Sequence, residues 1–161
     1  MLEGGEDPLY VARRMVRCAS EDVGNADPQA LAVTIAAKEA VEFLGMPECN
    51  TALAQAALYL ATAPKSNAVY TAYGAAADDA RKGEQSRVPL HLRNAVTSLM
   101  KDLDYGKDYQ YAHDLPDAID TQEYLPENLK GKRYYRPKDA GFEKSIRERI
   151  DEREKKRRSN Q

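Results

Sequence analysis

The stretch Leu58-Tyr59-Leu60-Ala61-Thr62-Ala63-Pro64-Lys65-Ser66-Asn67-Ala68-Val69-Tyr70-Thr71-Ala72-Tyr73 decides the fold, because it holds two apolar helical runs broken at one point. A residue that precedes proline is driven out of the α region, so a helix running through Leu53 to Thr62 stops at Ala63. Pro64 is the punctuation. Ser66 or Asn67 can then accept a hydrogen bond from the orphan N–H groups of the following turn and start a second helix carrying Val69, Tyr70 and Tyr73. The reading is a tight helix, turn and helix.

Working outward, Asp7-Pro8 pairs a capping residue with proline at the first helical position. Leu9, Ala12, Met15, Val16 and Ala19 then recur at helical spacing until Val23-Gly24. Asp27-Pro28 repeats that start for a second helix with Leu31, Ile35, Val41 and Leu44, stopped by Gly45. Pro47 opens a third, ending before Pro64, and a fourth runs from about Asn67 to Arg81, with a polar loop from Lys82-Gly83 to Arg87. Pro89 opens a fifth. The spacing of the prolines is uneven and no pattern recurs within the helices, so the chain is not a solenoid.

Between Asp104 and Pro137 the character changes. Six of the ten tyrosines (Tyr105, Tyr109, Tyr111, Tyr124, Tyr134, Tyr135) crowd among Gly, Asp and Pro, predicting irregular chain with Glu123-Tyr124 or Tyr134-Tyr135 in short extended pieces. Pro126 to Gly131 reads as one helical turn with a glycine stop. A last helix starts near Asp139, with Phe142, Ile146 and Ile150 as its apolar stripe. The expected fold is all-α, a compact bundle of about five to six helices with a tyrosine-rich irregular segment before the last. Residues 1–150 form the helical domain and 151–161 a charged, frayed tail.

Composition agrees with this. The 161 residues suit one domain, with 42% hydrophobic and 31% charged residues. Two Phe, no Trp and 24 Ala mean that closely approaching helices must build the core, with Leu, Val and Tyr as the larger fillers. No run approaches the roughly 18 apolar residues of a membrane span, and the acidic N-terminal stretch has neither the basic nor the apolar region of a signal peptide. A cytoplasmic protein is expected. Cys18 and Cys49 sit in alanine-rich helical contexts outside any Cys-x-x-Cys pair and read as small buried or half-buried hydrophobes.

Several blocks of the chain, in one order, carry a resemblance. They are residues 58–73, Val88 to Ala95, Leu99-Met100-Lys101-Asp102-Leu103, Tyr105-Gly106-Lys107, Tyr111-Ala112-His113-Asp114 and Gln122-Glu123-Tyr124-Leu125-Pro126. With the opening Leu2 to Tyr10 and Ala19 to Gly24, they resemble the C-terminal region of the RarA (MgsA) family of AAA+ ATPases. That family includes the Werner-helicase-interacting protein. The resemblance covers about residues 2–145. The chain departs from the family pattern at Val96, where that pattern has proline, and at Asp104 and Asp108, where it has glycine.

The resemblance implies an assembly region that forms tetramers, more distantly like clamp-loader collars, within a protein acting on DNA at stalled replication forks. It also implies a single-stranded-DNA-binding protein as partner, a nucleoid-associated place in the bacterial cytoplasm, and an ATPase module upstream holding ATP and Mg. On that view the chain is a piece without its motor, and Met1 is internal to a longer protein or an artificial start.

The residues agree that the motor is absent from this stretch. A phosphate cradle needs Gly-x-x-x-x-Gly-Lys-Ser/Thr, whose backbone N–H groups hold the phosphates. At Gly106-Lys107 and Gly131-Lys132 the upstream glycine positions are Lys101 and Pro126, and Asp108 and Arg133 follow the lysines. No cofactor, metal or catalytic residue is therefore expected here, since His91, His113, Cys18 and Cys49 lie without ligand spacing. A small independent enzyme using His91 or His113-Asp114 is weighed against a histidine merely packed or hydrogen-bonded at a helix start, and the second is favoured.

Two binding readings remain. Tyr59, Pro64, Asn67, Tyr70 and Tyr73 are candidate interface residues, because the apolar face of the fourth helix exceeds what one core can use. Lys65, Arg93, Lys101 and Lys107 are candidate anion or DNA contacts, with Arg93 and Lys101 eight residues apart and so on one face of the fifth helix. The bland alternative is that these cations are simply the wet side of helices. Residues 130–158 carry 13 Lys and Arg against 6 Asp and Glu, so a basic end follows an acidic body. Lys155-Lys156-Arg157-Arg158 could touch a phosphate backbone without sequence preference, or simply solvate a helix end and favour its dipole. The assembly reading is preferred, with nucleic-acid binding as the alternative.

Overall fold

In the computed structural model, which describes residues 1–83, 87–115 and 121–159, the chain is all-α. It divides into two units, Met1–Ala75 with Tyr134–Arg147, and Ala76–Arg133 with Glu148–Gln161.

In the first unit the local signals act as read. Asp7 Oδ1 accepts from the Leu9 N–H at 3.0 Å and Pro8 leads helix α1 (Pro8–Cys18), which widens into a π-helical turn, Ala19–Val23. Asp27 Oδ1 likewise accepts from the Gln29 N–H at 3.1 Å ahead of α2 (Gln29–Leu44), which Gly45 ends. After the Met46–Pro47 turn, α3 (Asn50–Thr62) runs to Ala63, whose φ of −63° and ψ of 144° are the extended geometry that the following proline demands. Helix α4 (Ala68–Lys82) follows. The loop expected after Gly83 lies outside the described residues except for Arg87.

Helices α1, α2 and α3 pack on one another around small side chains. Val11, Ala12, Ala37, Val41, Cys49, Leu53 and Ala56 form one cluster, and Ala19, Val23, Ala30 and Leu60 a second. Alanine lets helix axes approach closely, so dispersion contacts between backbones replace the bulk that aromatics would supply. Cys49 is fully buried and Cys18 half-buried. Burial, then a hydrogen bond to Asp22, pushes the Cys18 thiol up, away from the reactive thiolate. Thr34 is buried because its hydroxyl donates back to the Ala30 and Leu31 carbonyls of its own helix.

The second unit departs from the expected fifth helix. Pro89 starts only a 3-10 turn, Leu90–Leu92, and Arg93 is extended at φ −88°, ψ 136°. To continue as a helix the chain would need the Leu90 carbonyl for Asn94, but that carbonyl already accepts from the Gly106 N–H at 2.9 Å. The helix begins instead at α5 (Ser98–Asp102), where the Thr97 hydroxyl accepts from the Met100 N–H. Arg93 and Lys101 therefore do not share a helix face.

The tyrosine-rich segment is irregular, as expected, with 3-10 turns at Ala112–Asp114 and Glu127–Leu129 and no strand among the described residues. Gln122 stands in for a paired backbone there: its side-chain amide donates to the Gln110 carbonyl and accepts from the Gln110 N–H, at 2.7 and 2.8 Å. The last helix, α6, spans Glu143–Ser159 rather than starting at Asp139. Gly141, at φ +50°, is outside the right-handed helical region and so delays the helix, and a Cβ there would stand 2.1 Å from the Ala26 carbonyl oxygen and 2.7 Å from Pro64. Only glycine allows this approach. Helix α6 continues through the segment expected as a tail, and Arg157 donates to the Thr121 and Gln122 carbonyls.

Candidate functional site

The Pro64 turn is a joint made by backbone and side chain together. The Ser66 N–H donates to the Asp22 carbonyl at 2.8 Å, and the Ser66 hydroxyl accepts from the Ala68 N–H at 3.2 Å, capping α4. That same hydroxyl donates to Glu143 Oε2 at 2.6 Å. Glu143 is fully buried, and its carboxylate also accepts from the Tyr135 hydroxyl at 2.8 Å and the Lys138 N–H at 2.8 Å. Asn25 in turn donates to the Tyr135 oxygen at 3.1 Å. Burial, together with the bond to Glu143, holds the Tyr135 hydroxyl above its ordinary range against the opposing pull of Asn25. A buried carboxylate is costly unless every lone pair finds a donor, and here three donors converge on it.

The candidate residues of the turn are largely absorbed by this joint. Lys65 donates to the Leu60 carbonyl and, at 2.9 Å, to the Ala63 carbonyl, so it caps the C-terminus of α3, where a cation complements the helix dipole. Asn67 accepts from Lys138 Nζ at 2.5 Å. The half-buried Tyr59 donates to Asp27 Oδ2 at 2.7 Å, and that bond raises its pKa. A cleft of about 430 Å³ beside the turn is lined by Cys18, Asp22, Lys65, Ser66, Asn67 and Lys138, with both lysine heads occupied as described.

The other candidates are held separately. Arg93 lies 5.2 Å from the centre of the Tyr105 ring and donates to the Val88 carbonyl at 2.6 Å. Lys107 pairs with Asp104 at 2.9 Å, which raises its pKa, and Lys101 is exposed. His91 Nε2 lies 2.9 Å from the Glu123 carbonyl, which it meets as a donor, and the His113 ring packs 5.0 Å from that of Tyr111. Among the described residues no group of three or more His, Cys, Asp or Glu is placed to hold a metal ion, and no helix is long and apolar enough to cross a membrane.

What stays open is apolar surface. Of the 15 residues of α4 only Ala68 is buried, while Tyr70 and Tyr73 are 50% and 75% exposed. Tyr70, Tyr73, Gly74 and Ala77 fall at helical spacing on one face, so two aromatic side chains lie next to two small residues. In the second unit no hydrophobic residue among those described is buried, and Val88, Val96, Leu99 and Leu103 are all exposed. The sequence pointed to Tyr70 and Tyr73 but gave no sign of Glu143, which stands within a long charged run.

The comparisons give this arrangement its kin. The family model described as the MgsA AAA+ ATPase C terminal matches residues 1–154. The chain is 55% identical over 152 residues to the replication-associated recombination protein A of Coxiella burnetii, covering 94% of this chain and 34% of that protein. It is 52% identical over 151 residues to the protein of the same name in Escherichia coli K12, with 93% and 34% covered. Against the ATPase WRNIP1 of Dictyostelium discoideum it is 52% identical over 136 residues, with 84% and 16% covered. The chain thus spans about a third of the bacterial relatives' length. With the family model matched along nearly all of its residues, the chain belongs to the MgsA family of AAA+ ATPases and corresponds to its C-terminal region.

Proposed function

We propose that this chain joins copies of a replication-associated recombination ATPase into a ring-like oligomer, a tetramer by its family likeness. The observation that carries the reading is α4, a 15-residue helix with six Ala and two Tyr and a single buried residue. An apolar helix left uncovered in one copy is stabilised when a second copy covers it, at roughly 25 cal/mol per Å² of apolar surface removed from water. The exposed apolar residues of the second unit support the same reading, and tyrosine flanked by small residues suits a packed interface. Light scattering on the chain tests it, alongside a variant with Tyr70→Glu and Tyr73→Glu. The unaltered chain gives an oligomer and the variant a monomer; a monomeric unaltered chain at high micromolar concentration contradicts the reading.

In the whole protein, ATP and Mg belong to the module upstream of this region, and the assembled ATPase acts on DNA at stalled forks in the cytoplasm, near the nucleoid. A single-stranded-DNA-binding protein is its partner. The alternative, direct nucleic-acid binding by Lys65, Arg93, Lys101, Lys107 and the basic end of α6, has weaker support. Three of those four named cations already serve carbonyls, a tyrosine ring or an aspartate.

A further inference from the structure

Gly74 sits in the middle of α4, where glycine is the least favourable residue after proline, and nothing within this copy of the chain calls for it. It lies inside regular α-helix, and a Cβ added there would meet nothing within 4 Å. A side chain is missing where one copy has room for it. On the same face stand Tyr70 and Tyr73, 50% and 75% exposed, and the half-buried Ala77. Residues 68–77 carry no charge. The charges beside them are already matched, Asp78 by Arg81 on α4 itself and Arg17, which lies near Tyr70, by Glu21.

Along this face the order is large, large, small, small: Tyr70, Tyr73, Gly74, Ala77. Read backwards, that order is its own complement. We infer that the occupant of the face is α4 of a second copy, lying antiparallel about a two-fold axis between Tyr73 and Gly74. Each Tyr70 then packs over the other copy's Ala77, and each Tyr73 over its Gly74. The Cβ missing from Gly74 is the space that the partner's ring fills. A parallel pair would set tyrosine against tyrosine and Asp78 against Asp78, a like-charge contact that the reversed pair avoids. The two-fold contact uses each pairing twice and takes no unpaired charge out of water. The inference rests on the assembly reading and adds which surface of the second copy α4 meets.

The test places the photoreactive residue benzoylphenylalanine at position 70 of the full-length protein, with nitrogen-14 and nitrogen-15 copies mixed by dilution and reconcentration. The expected result is mixed-isotope cross-links from position 70 into residues 74–81. Links into any other segment, or same-isotope links alone, overturn the inference. Light scattering on the same sample separates the two failures: an oligomer leaves the assembly reading standing, and a monomer removes both. In addition, Gly74→Leu, which favours helix over the glycine it replaces, raises the dissociation constant of the assembly roughly tenfold or more with circular dichroism unchanged. Ala75→Leu, an exposed position turned away from that face, changes it less than about twofold. An unchanged constant for Gly74→Leu, or equal losses for both variants, also overturns the inference.

Discussion

Glu143 satisfies three donors at once, and each would be orphaned without it. Glu143→Ala therefore lowers the unfolding free energy by about 3–5 kcal/mol in urea titrations followed by circular dichroism, while Glu143→Gln, which keeps shape and acceptor, costs about 1–2 kcal/mol. Asp104 and Asp108 both sit at φ +60°, the left-handed region that costs an L side chain, and these are the two positions where the family pattern has glycine. Asp108→Gly raises stability by about 0.5–1 kcal/mol, seen as a higher urea midpoint. Tyr135 gives a pH signature. Its folded pKa is raised, chiefly by burial, so its contribution is complete below the ordinary tyrosine value of about 10 and is lost as pH rises through the folded value. Thermal melts above pH ~10 fall steeply with pH, and less steeply in Tyr135→Phe.

The elements of the first unit were legible because each carries its own punctuation. Asp7-Pro8, Asp27-Pro28 and Pro64 act through local sterics and capping, which need no tertiary information. The fifth helix is not legible for the opposite reason: the Gly106 N–H, from beyond α5, takes the Leu90 carbonyl that a helix led by Pro89 would need. Glu143 was equally hidden, since one glutamate in a charged run looks like any other until Ser66, Tyr135 and Lys138 are brought to it. Lys65 belongs to this scale, because as a C-terminal cap of α3 it acts on an element rather than a ligand. Lys65→Met costs about 0.3–1 kcal/mol of stability and leaves DNA affinity of the full-length protein unchanged in binding titrations.

At the scale of the molecule, the buried clusters lie in the first unit, among α1, α2 and α3, while α4 and the described part of the second unit leave Tyr70, Tyr73, Val88, Val96, Leu99 and Leu103 exposed. The proposed assembly follows from that distribution, since a second copy would remove these apolar side chains from water. The most direct measurement is the mass of the chain in solution by light scattering between 1 and 200 μM, on the order of the range where subunit association is read. The expected mass is about four times 18.0 kDa, falling toward 18.0 kDa for the Tyr70→Glu, Tyr73→Glu variant. A mass of 18.0 kDa for the unaltered chain throughout that range would contradict it.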